Sequence, residues 1–313
     1  MTFRIQVFMT RNSIEVRNFT KKFGDFTAVD NISFDVEQGS IFAFLGPNGA
    51  GKSTTINTLC TIQDKTAGEL IINGYDVNRQ KDKVRNDIGI VFQESTLDDK
   101  LTIEENLKLH CEFYNVPKKD VTERINFVLN LVDLENRRKA PVESLSGGMK
   151  RRAEIARGLV HFPKILFLDE PTTGLDPQTR ANVWEYIYRL QKEKNITIFL
   201  TTHYMEEAEI CHKVAIIDKG RIVAHDTPYN LKKQYTSTKM HIETSQPELL
   251  IKRLLDLNLK YKSSNNRVTV YINNTDQMLT ILSANKEIIS DIEINKGSLN
   301  DVFLAITGKE IRE

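Results

Sequence analysis

Nothing in this 313-residue sequence is long and apolar enough to cross a bilayer. The longest apolar runs, such as IFAFL at 41–45 and KILFL at 164–168, fall far short of the roughly 18 to 20 residues a spanning helix needs. The chain is therefore expected to be soluble by itself. A signal peptide is also missing, because the opening MTFRIQVFMT has one arginine, a broken apolar stretch and no small-residue cleavage site. Residues 1–11 read instead as an N-terminal extension, with Met1 and Met9 both candidate starts. Cysteine is scarce: Cys60, Cys111 and Cys211 are scattered, with no CxxC pair. That spacing argues against a disulfide framework and against a zinc site, and it fits a reducing compartment. Charge of one sign is lacking too, since 43 basic residues face 42 acidic ones. A general nucleic-acid coat is thereby disfavoured, and no nucleic-acid partner is expected. With 40% hydrophobic and 27% charged residues, extended disorder is not expected either.

What is present is a pattern of strands and helices in two blocks. IEVRNFTKKF and NISFDVEQG alternate and end in turn residues, as an antiparallel pair does. SIFAFL, KILFLDEP and ITIFLTTH are continuous apolar runs, the mark of strands buried on both faces. GELIINGYDV and DIGIVFQ add further strands. The stretch from about Thr102 to Val160 turns helical, punctuated by Pro117 and Pro141, and another helix is expected over about 178–194. KVAIIDKGRIVAHDTP reads as a closing hairpin about Lys219 and Gly220. Strands alternating with helices predict an α/β domain over 12–235 with a mainly parallel core sheet, an antiparallel β subdomain and a helical subdomain at about 94–160. From about residue 236 the order becomes β-α-β-β-α-β, which predicts a small ferredoxin-like α+β domain over 236–313. Its last helix is expected to begin at Ser298, where SLND makes a capping box with Asp in place of Glu. Leu299, Val302, Phe303 and Ile306 then share one apolar face, which must dock on something.

Two stretches carry the signature of anion binding. GPNGAGKS fits G-x-x-x-x-G-K-[ST] in full, after a strand and opening a helix. In this motif the backbone N–H groups of residues 48–53 cradle phosphates, Lys52 reaches the β- and γ-phosphates, and Ser53 ligates Mg²⁺. The second stretch is LSGGMKRR at 145–152, where two bare glycines stand at the start of an expected helix. The basic run Lys150, Arg151, Arg152 one turn further on could help steer an anion, whereas Arg137, Arg138 and Lys139 read as a solvated face.

The end of ILFLDE places Asp169 and Glu170 at the C-terminal end of a buried strand, where open α/β sheets put their ligands. A lone acidic pair there is more often a cap or solvated edge. Beside a P-loop, Asp169 is expected to hold Mg²⁺ and Glu170 to polarise an attacking water. Gln93 and His203 also stand where buried strands finish, within reach of the same chemistry. Phe23, in a turn before Gly24, has two readings: plain core packing, or a platform for adenine.

Taken together, GPNGAGKST, Gln93, LSGGM, ILFLDE, GLDP at 174–177 and TTH at 201–203 resemble, in order and spacing, the ATP-binding subunits of ABC transporters. The resemblance covers about residues 12–230. The ending LNDVFLAITG looks like the domain appended to the daunorubicin-type, drug-resistance branch of exporters. The family implies that Phe23 stacks on adenine and that Gly46, Pro47, Asn48, Gly49, Ala50, Gly51, Lys52, Ser53 and Thr54 bind phosphates. It implies that Ser53, Gln93 and Asp169 surround Mg²⁺, Glu170 acts as general base, His203 contacts the γ-phosphate, and Asp176 lies at a dimer interface. Ser146, Gly147 and Gly148 would close over the nucleotide held by a second copy, in a head-to-tail dimer of this chain or with a paralogue. Met149 stands where many members have glutamine, and Phe23 where tyrosine is commoner. The implied function is ATP hydrolysis that drives a separate integral-membrane permease, in an exporter of drugs, antibiotics or lipids. The implied place is the cytoplasmic face of the cell membrane, with the permease docked about ESTLDDKLT at 94–102. A soluble ABC-type ATPase acting on nucleic acid or ribosomes is the runner-up, and it usually has a coiled coil, two cassettes or a basic surface. A P-loop kinase would leave LSGGM, Gln93 and His203 unexplained.

Overall fold

A computed structural model describes residues 11–272 and 274–308. The expected N-terminal extension lies outside the described residues, apart from Arg11. The chain divides into two compact units that meet in sequence between Asp226 and Thr227.

The first unit opens with β1 (Asn12–Phe23) and β2 (Phe26–Glu37), then β3 (Ile41–Leu45), α1 (Lys52–Leu59), β4 (Ala67–Ile72), β5 (Tyr75–Asp76), α2 (Lys81–Asp87) and β6 (Ile88–Val91). The helical subdomain holds α3 (Ile103–Phe113), α4 (Lys118–Leu131) and the start of α5 (Gly147–Leu159). The unit finishes with β7 (Ile165–Asp169), α6 (Pro177–Lys194), β8 (Thr197–Thr202), α7 (Met205–Glu209), β9 (Lys213–Asp218) and β10 (Arg221–Asp226). Helix starts follow their caps. Thr102 and Glu105 make a reciprocal capping box at α3. At α6, the Asp176 side chain accepts from Thr179 N and Pro177 occupies the first turn, where its missing N–H costs nothing.

Two sheets make up this unit. One has the order β2-β1-β4-β5 and is antiparallel; the other runs β10-β9-β3-β8-β7-β6. In the second, β9, β3, β8, β7 and β6 pair in parallel, and only the β9–β10 hairpin is antiparallel. All five residues of β3 and of β7 are buried, as the continuous apolar runs predicted. A cluster of phenylalanines fills the space between the sheets: Phe34 of β2 stacks on Phe42 of β3 at 5.5 Å, and Phe199 of β8 lies 5.4 Å from both Phe42 and Phe167. The hairpin forms at Lys219 and Gly220, both with positive φ.

The second unit contains α8 (Pro228–Tyr235), β11 (Thr238–Thr244), α9 (Pro247–Asp256), β12 (Tyr261–Ser264), β13 (Arg267–Ile272), α10 (Thr275–Asn285), β14 (Ile289–Asn295) and α11 (Leu299–Thr307). Its sheet order is β12-β13-β11-β14, antiparallel throughout. This is two interleaved split β-α-β units, the ferredoxin-like arrangement. The capping box at Ser298 and Asp301 is formed. Leu299, Val302 and Phe303 of α11 are buried, and α11 packs on α8. The expected boundary at 235/236 thus falls nine residues after the division in packing. α8 was not foreseen as a helix, and it is the element on which α11 docks.

Candidate functional site

Because β3, β7 and β8 are parallel neighbours, their C-terminal ends deliver the P-loop, Asp169 with Glu170, and His203 to one edge of the sheet. The P-loop conformation requires glycine at two places. A Cβ on Gly46 would stand 2.3 Å from Ile217 O, and Gly51 has φ +107° with Ala28 O 2.7 Å from where its Cβ would be. The hairpin tip supports the loop through Gly220 N, which donates to Ala50 O at 2.9 Å. Asn48, Gly49 and Ser53 remain exposed.

Lys52 is 4% exposed, and its ammonium is held by three oxygens. Nζ donates to Gly46 O at 2.8 Å and Pro47 O at 3.1 Å, and lies 3.3 Å from Glu170 Oε1. Burial lowers the lysine's pKa from its ordinary value, and Glu170 and Asp169 oppose that shift. Glu170 Oε2 accepts from Thr173 Oγ1 at 3.1 Å and lies 3.4 Å from His203 Nδ1, within ion-pair reach but outside hydrogen-bond geometry. Burial pushes the Glu170 carboxyl up; Lys52 and His203 together outweigh it and leave the group below the usual glutamate value. Glu170 is therefore a carboxylate at neutral pH. Its backbone has φ +46°, a left-handed conformation uncommon outside glycine and asparagine. Thr201 stabilises that turn, since Glu170 N donates to Thr201 O at 3.2 Å and to Thr201 Oγ1 at 3.0 Å.

The same Thr201 hydroxyl donates to Asp169 Oδ1 at 2.5 Å, and Ser53 Oγ lies 3.4 Å from that oxygen. Ser53 and Asp169 thus present oxygen donors of the kind a hard divalent cation takes, at one edge of the P-loop. Gln93 stands exposed two residues past the end of β6, the strand next to β7. Phe23 is 47% exposed at the end of β1, so it is a surface side chain rather than a core one. Lys21 Nζ lies 4.7 Å from that ring's centroid.

The remaining expected residues stand apart. Ser146 is the N-cap of α5, accepting from Met149 N at 3.3 Å, and Gly147 begins the helix. Among the described residues, no hydrogen bond or ion pair joins Ser146, Gly147 or Gly148 to Lys52, Asp169, Glu170 or His203. Asp176 caps α6, and Thr179, which it holds, presses on Gly148. The basic run after the glycines is engaged within the chain. Lys150 pairs with Asp99 at 3.0 Å, Arg151 is buried against backbone carbonyls, and Arg152 reaches Val132 O and Tyr186. Arg138 of the other basic run is half-buried between Glu104 and Glu135 rather than solvated. Sequence reading passed over Thr201 and Glu207. Glu207 is 2% exposed and accepts from both Thr172 Oγ1 and Thr202 Oγ1. Thr201 and Thr202 lie inside the TTH motif, but a hydroxyl in a buried strand gives no periodic signal.

Comparison with known proteins places this geometry. Residues 29–173 match the ABC transporter family. The Nod factor export ATP-binding protein I of Cupriavidus metallidurans is 34% identical over 302 residues, covering 96% of this chain and 99% of that protein. The probable multidrug ABC transporter ATP-binding protein YbhF of Escherichia coli is 39% identical over 221 residues; the match spans 71% of this chain and 38% of that longer protein. Among solved structures, cbiO1 from Clostridium perfringens, part of the ABC transporter complex cbiONQ, superposes with a TM-score of 0.66 at 27% identity, over 79% of this chain and 96% of its own. The dimeric post-hydrolysis state of the cassette MJ0796, bound to ADP and Pi, gives 0.62 at 28% identity, over 68% of this chain and 98% of its own. Three of these likenesses span nearly the whole of the other protein, and the P-loop, the buried acidic pair and the capped LSGG helix all lie within the matched residues 29–173. This chain belongs to the ATP-binding subunits of ABC transporters, the P-loop ATPases that power them.

Proposed function

We propose that this chain is the ATPase of an exporter, working as a head-to-tail pair docked on a separate membrane permease. The observation that carries the reading is the split between two half-sites. Lys52, Ser53, Asp169, Glu170 and His203 converge at one sheet edge, while Ser146, Gly147 and Gly148 form a capped helix N-terminus with no bond to them. A helix N-terminus with bare glycines suits an anion. A second copy is needed to bring it over one.

In this reading, residues 46–54 hold the phosphates and the exposed face of Phe23 takes the adenine. Ser53, Asp169 and Gln93 would hold Mg²⁺, which when bound would neutralise phosphate charge. Lys52 moves its donors from Gly46 O, Pro47 O and Glu170 onto phosphate oxygens. Glu170, ionised and fixed by Thr201 and Thr173, orients a water and accepts its proton; His203 beside it contacts the γ-phosphate. Asp176 lies at the dimer interface through the first turn of α6. The permease docks about residues 94–102, which puts the chain at the cytoplasmic face of the membrane. Export follows from the printed functions of the relatives that match over most of this chain. The second unit serves as a further dimer contact or regulatory module. Removing everything after Asp226, which takes α8 away together with its partner α11, and finding ATPase, dimerisation and transport unchanged would overturn that role.

The test of the whole is Glu170→Gln. It keeps the shape of the side chain and removes the base, so the variant is expected to bind Mg-ATP, turn it over about 100-fold more slowly or worse, and accumulate as a dimer in size exclusion. A purely monomeric Glu170→Gln protein in saturating Mg-ATP would remove the support for paired half-sites.

A further inference from the structure

The helix that begins with Gly147 holds the Gln93 loop from both sides. α5 buries two charged residues one and two turns below its N-terminus, Arg151 at 8% and Glu154 at 1% exposure. They are three residues apart and so lie on one helix face. Arg151 makes four hydrogen bonds, all to main-chain carbonyls: Nη1 to Phe92 O, Nε to Pro171 O at 2.6 Å, and Nη2 to Asp169 O at 3.1 Å and Glu170 O at 3.2 Å. Glu154 takes the chain just after Gln93. Its Oε1 accepts from Ser95 Oγ at 2.8 Å, Thr96 N at 2.7 Å and Leu97 N at 3.2 Å, and its Oε2 accepts from Thr96 Oγ1 at 3.3 Å. Residue 92 is held by the cation and residues 95–97 by the anion. Gln93 lies between the two clamps, exposed.

Such an arrangement is expensive for a purely structural tie. Burying a guanidinium whose hydrogen bonds all go to neutral carbonyls costs more than packing an apolar side chain of the same volume. What the planar fork supplies is geometry: fixed N–H directions that set three main-chain segments relative to one another. Those segments are the strand end before Gln93, the strand end bearing Asp169 and Glu170, and the helix that opens with residues 146–148.

We propose that Arg151 and Glu154 are positioning residues for Gln93, fastening its loop to α5 so that the loop and the 146–148 helix N-terminus respond to nucleotide as one unit. The inference rests on the reading of residues 46–54 and 146–148 as the two halves of an ATP site. It adds the route by which that site and the loop at 94–102 sense each other. Neither side chain reaches the site itself; both act through the main chain.

The experiment is amide hydrogen exchange on the full chain carrying Glu170→Gln, with and without Mg-ATP, compared with the same chain also carrying Glu154→Gln. In the single variant, Mg-ATP is expected to slow exchange at 46–54, 147–151 and 95–97 together. In the double variant, protection at 46–54 persists while Thr96 and Leu97 no longer respond. An unchanged response at 95–97 overturns the proposal. Failure of 46–54 to respond in the single variant overturns the ATP reading on which it rests. A second variant, Arg151→Lys in the otherwise native chain, keeps the charge and loses the fork. It is expected to lower kcat about tenfold while KM for ATP stays within about twofold, because the P-loop is untouched. An Arg151→Lys protein with native kcat, or with KM raised as much as kcat falls, also overturns it.

Discussion

The two glycine-rich helix starts of this chain differ in how far each is satisfied by its own molecule. At the P-loop, every charged group has partners in the same chain: Lys52 has three oxygens, Glu170 has a lysine and a threonine, and Asp169 has two hydroxyls. At α5 the helix is capped by Ser146, yet a Cβ on Gly147 would meet nothing within 4 Å. One loop is tightly packed machinery, and the other is an open surface. Glycine serves close internal approach at Gly46 and Gly51 of the first, and at Gly147 of the second it leaves room for an outside ligand.

Removing the P-loop cation should break this contrast most severely. Lys52→Ala takes away the phosphate contact and leaves the buried Glu170 carboxylate without its cation, so ATP turnover is expected to fall by at least about 100-fold. A retained rate in a Mg-ATP assay would mean that the tightly packed loop is not the active site.

Acid tests the seat of the helical subdomain that presents the open loop. His161, which follows α5, is 8% exposed and its ring stacks on Tyr114 at 3.8 Å, with His110 of α3 against both. Burial, aided by the positive charge of Arg157, depresses His110 to about 3. Burial likewise depresses His161 to about 4, against the pull of its bond to Ile88 O. Both stay neutral in the fold where the unfolded chain protonates near 6.5, so the unfolded state binds more protons between those values. Stability is therefore lost as pH falls below about 6.5, by up to ~2 kcal/mol per imidazole at pH 5. Urea midpoints at pH 7.5 and 5 check this, and Tyr114→Ala or His110→Asn should flatten the difference.

The two adjacent glycines of the open loop should then behave differently from each other. A Cβ on Gly148 would come 2.4 Å from Thr179 Cγ2, so Gly148→Ala must displace α6 or the threonine rotamer and is expected to cost about 1 to 3 kcal/mol. Gly147→Ala should leave the melting temperature nearly unchanged, yet weaken the ATP-bound dimer of the Glu170→Gln chain. Equal melting temperatures for the two alanine variants would erase the distinction drawn between them.

Much of this was readable in the residues, for identifiable reasons. Buried parallel strands announce themselves as unbroken apolar runs, so β3, β7 and β8 and the polar residues at their ends were placed correctly. The Ser298 capping box and the Lys219–Gly220 hairpin follow from local rules that tertiary context did not override. α2, α7 and α8 were missed, being short and polar, with one, two and two buried residues. The partners of the basic run after LSGG were not legible because charge in sequence does not say which way a side chain turns. Arg151 points inward to carbonyls that lie 18 to 59 residues away along the chain. Thr201 and Glu207 escaped notice for a related reason. Their work is done by hydroxyl and carboxylate groups facing each other across neighbouring strands and turns, a pairing that exists only once the sheet has formed.

The three cysteines have a practical consequence. Cys60, Cys111 and Cys211 are all unpaired and buried, and burial raises each thiol, those of Cys60 and Cys211 well above the usual value. Thiol reagents act on the exposed thiolate, so the native chain should react slowly with maleimides. A single cysteine installed at an exposed position such as Ser53 or Gly147 would then label selectively in an otherwise native background. Cross-linking between copies could be read without first stripping the native cysteines, leaving the packing around them intact.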